Sequence, residues 1–447
     1  MRDLAFAFVW IALLPLLLIS AHAGTLVWVW TALLSPNELL YGFMANVPFN
    51  KIVAVLTIFL VFFGREKKDP YFDVTLFLLI LLGMVSTVSW FDGIVSNPTA
   101  TDLYEKLLKE IVLVFVIAAV TTTRARIDRL VLVVVLAIGF LAVKEGTIYL
   151  LTAGGHHITG TYALGDNNGL AMALLMIIPL ISYLARHSVA RIVKIGMWSV
   201  MGLSLVTVIA TFSRGGLIGM IVLAVFTLKN SRRRFRALLL VLLAGLFLYV
   251  LAPNSWFSRM DTIQSANNDD SFMGRVIAWK MSLLIAMDNP LFGGGMHAVQ
   301  NQLVWDMYKK DLYRVDFVNT PPPDESAHAA HSIYFEVLGD LGFVGLTLFL
   351  AILGVALWNC QQLYRVSRGH PSLAWVGQLA RMLQISLVVY LTTGAALSAA
   401  YLELLYVLIA LLSRCRRTVQ LALAAEAVNG ETAQRVGSTP LLEGSRN

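Results

Sequence analysis

ALLLVLLAGLFLYVLA, residues 237–252, stops at Pro253, and the next sustained apolar run begins only at Ser332. Between them lies the one long polar stretch of the chain. It holds Trp256, Arg259, the run Gly274-Arg275-Val276-Ile277-Ala278-Trp279, a triple glycine (Gly293 to Gly295), a triple proline (Pro321 to Pro323), and His328 with His331. His331 leads directly into SIYFEVLGDLGFVG, residues 332–345, which carries Glu336, Asp340, Gly342 and Gly345. A polar segment of this length between two apolar runs reads as a large loop joining membrane helices.

The composition agrees. Of 447 residues 58% are hydrophobic and 14% charged, with mean hydropathy +0.73. A soluble domain is roughly 45–50% apolar and about 25% charged. The net charge of +7 does not point to nucleic acid, because the positive residues cluster in short loops between apolar runs, as in cytoplasmic membrane loops. Cys360 and Cys415 fall at predicted cytoplasmic helix ends, and the long loop has no cysteine to staple it.

A crossing helix needs about 20 apolar residues. Candidate spans lie near 4–22, 51–63, 74–92, 107–121, 130–151, 168–185, 192–210, 214–228, 237–252, 332–358, 379–395 and 397–412, which predicts an all-α integral membrane protein with about 12 transmembrane helices and one large, partly helical loop. The stretch 24–50 is either re-entrant or a further span, because Ser35-Pro36-Asn37-Glu38 interrupts its apolar start. Asp3 cancels Arg2, so the N-terminal run reads as a retained helix, although Ala21-His22-Ala23 resembles a cleavage site. The expected organisation is a helical region over 1–252, the loop over 253–331, C-terminal helices over 332–412, and a cytoplasmic tail over 413–447, partly disordered where it turns polar.

Lys and Arg set the orientation. The clusters are Arg65 with Lys67 and Lys68; Arg124, Arg126 and Arg129; Arg186, Arg191 and Lys194; Lys229 to Arg236; Arg365 and Arg368; and Arg414, Arg416 and Arg417. With these spans all fall on one side. The long loop, the His156-His157 loop and the Ser213-Arg214-Gly215-Gly216 turn then share the opposite, periplasmic side.

Three residues on that side form a chemical set. Arg214 opens a helix among glycines that permit close backbone approach. Arg275 falls in the first turns of a helix expected over 271–287, capped by Ser271, with Trp279 on its face at i+4. A cation there opposes the helix dipole unless an anion compensates it. His331 precedes the next helix and can accept a proton near neutral pH; His328 is the alternative base. Planar guanidinium groups hold phosphate oxygens in pairs. Arg259 in the loop is a further candidate for substrate binding, as is Lys144, an ionisable residue within a span, like Glu403. Asp166-Asn167-Asn168-Gly169 reads as a turn and helix start. No metal site is expected: Asp269-Asp270 and Asp166 do not make a convergent oxygen set, and His156-His157 has no completing ligands.

At these positions the chain resembles the O-antigen ligase and O-antigen polymerase superfamily. The motifs are Ser213-Arg214-Gly215-Gly216, Gly274-Arg275 with Trp279, His331 leading into Glu336-x-x-Gly339-x-x-Gly342-x-x-Gly345, and Asp166-x-Asn168-x-Leu170-Ala171. Trp28-Val29-Trp30 and Ser35-Pro36-Asn37-Glu38-Leu39 also look like O-glycosylation ligases associated with exopolysaccharide sorting loci. The resemblance implies a GT-C-like glycosyltransferase of the bacterial inner membrane, working on the periplasmic face. It would move a glycan from undecaprenyl diphosphate to a hydroxyl of lipid A-core without metal or cofactor. By the same resemblance His331 is the base and Arg214 and Arg275 bind the diphosphate; Asn168 and Trp279, with Arg259 and Lys144, are the candidates for substrate binding. Polymerases and protein O-oligosaccharyltransferases share these motifs, and a lipid-linked glycan transporter is the reading from another class.

Overall fold

Described in the computed structural model are residues 2–158, 164–230, 234–254, 256–257, 270–315, 318–323 and 325–437. Ten helices precede the long loop: α1 Arg2–Ile19, α2 Ala21–Leu34, α3 Phe49–Phe63, α4 Val74–Phe91, α5 Pro98–Val120, α6 Arg124–Leu151, α7 Asn167–His187, α8 Arg191–Ala210, α9 Arg214–Asn230 and α10 Arg234–Leu251. The loop contributes α11 Asp270–Asp288 and α12 Gln302–Tyr308. The chain closes with α13 Ile333–Ser367, α14 Ala374–Gly394 and α15 Glu403–Gly437.

Short polar residues start these helices as their chemistry requires. Asp73, Asn97 and Thr123 each accept a hydrogen bond from a backbone N–H in the first turn of α4, α5 and α6, respectively, which satisfies a donor the helix itself leaves open. Ser20 does the same for α2 and so divides the N-terminal apolar run in two. The ambiguous stretch after it is a 14-residue helix, mostly buried, followed by a left-handed Ser35 and a 3-10 turn over Pro36–Leu39. Fourteen residues reach about 21 Å, short of the ~30 Å hydrocarbon core.

Among the described residues, six helical segments are long and apolar enough to cross a membrane: Arg2–Ile19, Val74–Phe91, Asn167–His187, Arg191–Ala210, Ile333–Ser367 and Pro371–Gly394. Ala21–Leu34, Phe49–Phe63 and Leu238–Leu251 are shorter apolar helices. The sequence suggested about 12 spans. Among the other expected spans, α3 has 15 residues and α9 has 17, α5 carries several charges, and 397–412 becomes helical only at Glu403. The molecule is a helical, multi-pass membrane protein.

Basic clusters gather at one end. Arg126 pairs with Glu66 and donates to the Val120 carbonyl at 2.7 Å. Arg414 donates to the carbonyls of Thr121 and Ala118, both at 2.9 Å, and shares Asp69 with Arg417. Arg416 reaches Asn359, and Arg124 lies over the Trp375 ring. The chain connections near 64–73, 121–124 and 367–374 therefore meet here. The terminal helix α15 runs past Arg417 to Gly437, where the sequence suggested a partly disordered tail.

At the opposite end the loop is locked onto α13 by glycine. Gly342 sits at φ 68°, ψ −167° and breaks α13 into an outer segment and a longer lower helix. The broken turn leaves carbonyls without helical partners. Gly294 N–H donates to the Gly339 carbonyl at 2.8 Å and Gly295 N–H to Asp340 at 3.2 Å, while Phe343 N–H donates back to Pro290 at 2.9 Å. A Cβ on Gly293 would lie 2.5 Å from the Gly342 nitrogen, so the two backbones can meet only without side chains. Ser89 at the end of α4 closes the knot with a 2.6 Å bond to the Asp340 carbonyl.

Candidate functional site

His331 stands just before α13 in the left-handed region, at φ 42°. A non-glycine residue there costs on the order of 1–3 kcal/mol unless its surroundings enforce it. Here they do. Its N–H donates to Ser398 Oγ at 2.9 Å. The carbonyl before it, on Ala330, accepts from Trp279 Nε1 at 2.7 Å. Phe335, one turn into α13, stacks on the Trp279 ring at 5.1 Å and 7°. Trp279 thus grips the histidine segment on both sides, and its position is that of a positioning residue.

Arg275 lies one turn before Trp279 on α11, which begins at Asp270, one residue earlier than expected. It is half-buried, and its Nη1 points to the Ala396 carbonyl at 3.4 Å. The His331 imidazole is held below the ordinary histidine range, first by burial and then by the nearby Arg275 charge; Asp166 opposes this and His328 adds to it. Sequence-distant residues are therefore brought together: Arg275 from α11, His331 and His328 from the loop end, and Asp166 from the start of α7. Asp166 caps α7 through Asn168 N–H at 3.0 Å and Gly169 N–H at 2.9 Å, and Asn168 Nδ2 donates to its second oxygen at 2.8 Å. Asn168 is thereby held at the same corner.

Arg214 opens α9 behind Ser213, whose Oγ accepts from Gly216 N–H at 2.9 Å. Two glycines let α9 lie close to its neighbours. A Cβ on Gly216 would stand 3.2 Å from the Ala171 side chain of α7, and one on Gly219 2.6 Å from Thr393 of α14. The first turn of α9 therefore sits beside the start of α7 and the end of α14.

Lys144 is placed elsewhere. Its ammonium pairs with Glu145 at 2.8 Å, and the other Glu145 oxygen meets His156 Nε2 at 2.6 Å. Near that cluster His157 and Phe212 help line a cavity of 590 Å³, with Thr152 to Gly155 and Pro253. Phe212 is two residues before Arg214. Arg259 and Asp269 lie outside the described residues. Among the described residues no group of three or more His, Cys, Asp and Glu side chains is placed to hold a metal ion.

The connector over 395–402, between α14 and α15, was not legible as part of the site. Hydropathy alone places 397–402 at the start of a span. It supplies the Ala396 carbonyl to Arg275 and the Ser398 hydroxyl to His331. Glu336 accepts from Ala400 N–H at 2.9 Å, and Asp340 accepts from Tyr401 OH and from Ala298 N–H, both at 3.1 Å. The two carboxylates of α13 therefore fasten the connector and the glycine loop. The signal available was Gly394, a residue suited to ending a helix, followed closely by Ser398.

A helical multi-pass membrane protein with a strained histidine beside an arginine at one end is the class that fold and site define. Residues 199–350 match the family described as O-Antigen ligase, and residues 1–189 match a family of unknown function. No curated protein matches the chain. The first match supports the O-antigen ligase superfamily, and it spans Arg214, Arg275, Trp279, His331 and the glycine break of α13.

Proposed function

We propose that the protein is a glycosyltransferase of the bacterial inner membrane that moves a glycan from undecaprenyl diphosphate to a hydroxyl of lipid A-core on the periplasmic face. The observation that carries this reading is the meeting of Arg275 and Asp166 around His331, whose backbone is held in a strained conformation. In the reaction the acceptor oxygen attacks the anomeric carbon, and His331 takes the hydroxyl proton. The bond from that carbon to the phosphate oxygen breaks, and undecaprenyl diphosphate departs with the electron pair. Arg275 and Arg214 hold the departing charge with paired N–H donors. Trp279 and Asn168 keep the histidine and the α7 corner in place. The Lys144–Glu145–His156 cluster and the neighbouring cavity would receive sugar hydroxyls, and Arg259, outside the described residues, would contribute to substrate binding.

The test is reconstitution. Purified protein in vesicles receives lipid-linked glycan together with lipid A-core, with a second lipid-linked repeat, or with an acceptor peptide. Glycosylated lipid A-core is the expected product. Product from the repeat or the peptide alone would reassign the protein as a polymerase or a protein O-oligosaccharyltransferase, and donor movement across the bilayer without product would make it a transporter. Transfer is expected to survive chelation; activity lost on chelation and restored by a divalent ion would overturn the metal-independent mechanism. For sidedness, cysteines at Lys310 and Arg368 separate the two ends: an impermeant reagent added from the periplasm is expected to label only the first.

A further inference from the structure

Away from the candidate site, α5 and α15 bury a cluster of charge. Lys106 Nζ contacts Glu403 Oε1 at 2.8 Å. Glu110, one turn further along α5, is 1% exposed and Glu403 is 7% exposed. Glu403 lies 11 residues before Arg414, about 16 Å along the helix, which is roughly half the ~30 Å hydrocarbon thickness from the basic end. Glu110 Oε2 and Glu403 Oε2 are both buried with no hydrogen-bond partner. Glu403 is the charge that bears most strongly on Glu110.

Two carboxylates and one ammonium leave one negative charge uncompensated, and a buried unpaired charge is far more costly than a neutral group. A hard cation would need several convergent oxygens and would sit against the Lys106 ammonium. A proton needs neither. It removes the excess charge and turns one orphaned acceptor into a donor, and two carboxylates that share a site commonly hold one proton between them. Ionisable residues inside a membrane mark such sites.

We propose that Glu110, packed with Lys106 and Glu403, forms a buried proton-binding site that carries a proton at neutral pH. The charged and titratable groups facing it are Lys106 and Lys109 on α5, Tyr406 on α15, Glu38 in the 3-10 turn and Glu336 on α13. Glu403 is the first residue after the 395–402 connector that holds His331 and Arg275.

Infrared difference spectroscopy of the full-length protein in vesicles tests this without any glycan. At neutral pH a protonated-carboxyl stretching band is expected in the wild type. It should be lost or displaced in both Glu110→Gln and Glu403→Gln, and unchanged in Glu325→Gln, an exposed control. Glu110→Gln imitates the neutral carboxyl, so it should insert and fold. A second readout is the unfolding temperature. A proton kept by the folded state and released by an unfolded glutamate, whose pKa is about 4.3, makes stability fall as pH rises. That fall should shrink in Glu110→Gln. Carboxyl bands identical in wild type and both glutamine variants would overturn the proposal, as would coincident pH–stability curves for wild type and Glu110→Gln, or a Glu110→Gln chain that fails to fold.

Discussion

At the basic end of the bundle Arg414 is fully buried, with bonds to two backbone carbonyls and to Asp69. Asp69 is held below the usual carboxylate range, first by its hydrogen bond from Arg417, with Arg414 adding its charge. At the loop end Arg275 is half-buried and donates to the Ala396 carbonyl at 3.4 Å. It stands beside a histidine whose backbone is strained. One end uses its guanidinium groups to tie loops together. The other holds a guanidinium beside the His331 imidazole. The same residue type thus serves stability in one place and, in the proposed reaction, recognition in the other. Burial and partner geometry distinguish the two roles where sequence position does not.

The largest expected effect breaks the loop end alone. His331→Gln keeps hydrogen-bonding capacity but cannot take the acceptor's proton, so transfer should fall by about 10²–10⁴-fold, with binding of the lipid diphosphate retained. Turnover near the wild-type rate, together with an inactive His328→Ala, would move the base to His328.

The two arginine classes should fail differently. Arg414→Ala leaves two buried carbonyls without a donor and Asp69 with Arg417 alone, and is expected to cost on the order of 3 kcal/mol of stability. Arg275→Lys should leave thermal stability near wild type while kcat/KM for the donor falls roughly tenfold, since a hydrogen bond to a charged group is worth about 1.5–3 kcal/mol. Thermal scans and donor titrations of the same two variants decide it. Equal losses of stability would erase the distinction between the ends.

The smallest effect is a displacement of the pH profile. Burial and Arg275 lower the His331 pKa, so the free base persists to lower pH than in an ordinary histidine near 6.5. The acid limb of kcat/KM, which reports the free enzyme, should lie below that value. A bound diphosphate brings negative charge and favours the imidazolium, so the acid limb of kcat should lie at higher pH than that of kcat/KM. Rate measurements across the pH range at limiting and saturating donor test both. An acid limb of kcat/KM above 6.5 would contradict the assigned environment.

Much of this was legible in the sequence. Apolar runs gave the helical membrane class, the Lys and Arg clusters gave one end, and Arg275 four residues before Trp279 gave a shared helix face that the structure retains. What the sequence did not reveal was the partner of each group. Residues 395–402 are small and mostly apolar, so hydropathy ran straight through them, yet their backbone and Ser398 hold the site. The orienting role of Trp279 was hidden for a related reason: an indole N–H at the right spacing says nothing of which distant carbonyl it will meet. Lys144 stands beside Glu145 in the sequence, and the fold adds His156 on the other oxygen of that carboxylate.

The break at Gly342 has a mechanical consequence. The outer part of α13 takes its orientation from the glycine loop and the connector, whereas the lower part answers to the lipid around it. Helices tilt when the bilayer thickens or thins, and a continuous rod would pass that tilt to whatever it carries. The kink insulates the His331 segment from it. Transfer in vesicles of short and long acyl chains is therefore expected to proceed at similar rates, a tolerance that a straight α13 would not have; a steep dependence on acyl length in the wild type would show that the joint transmits the bilayer's strain after all.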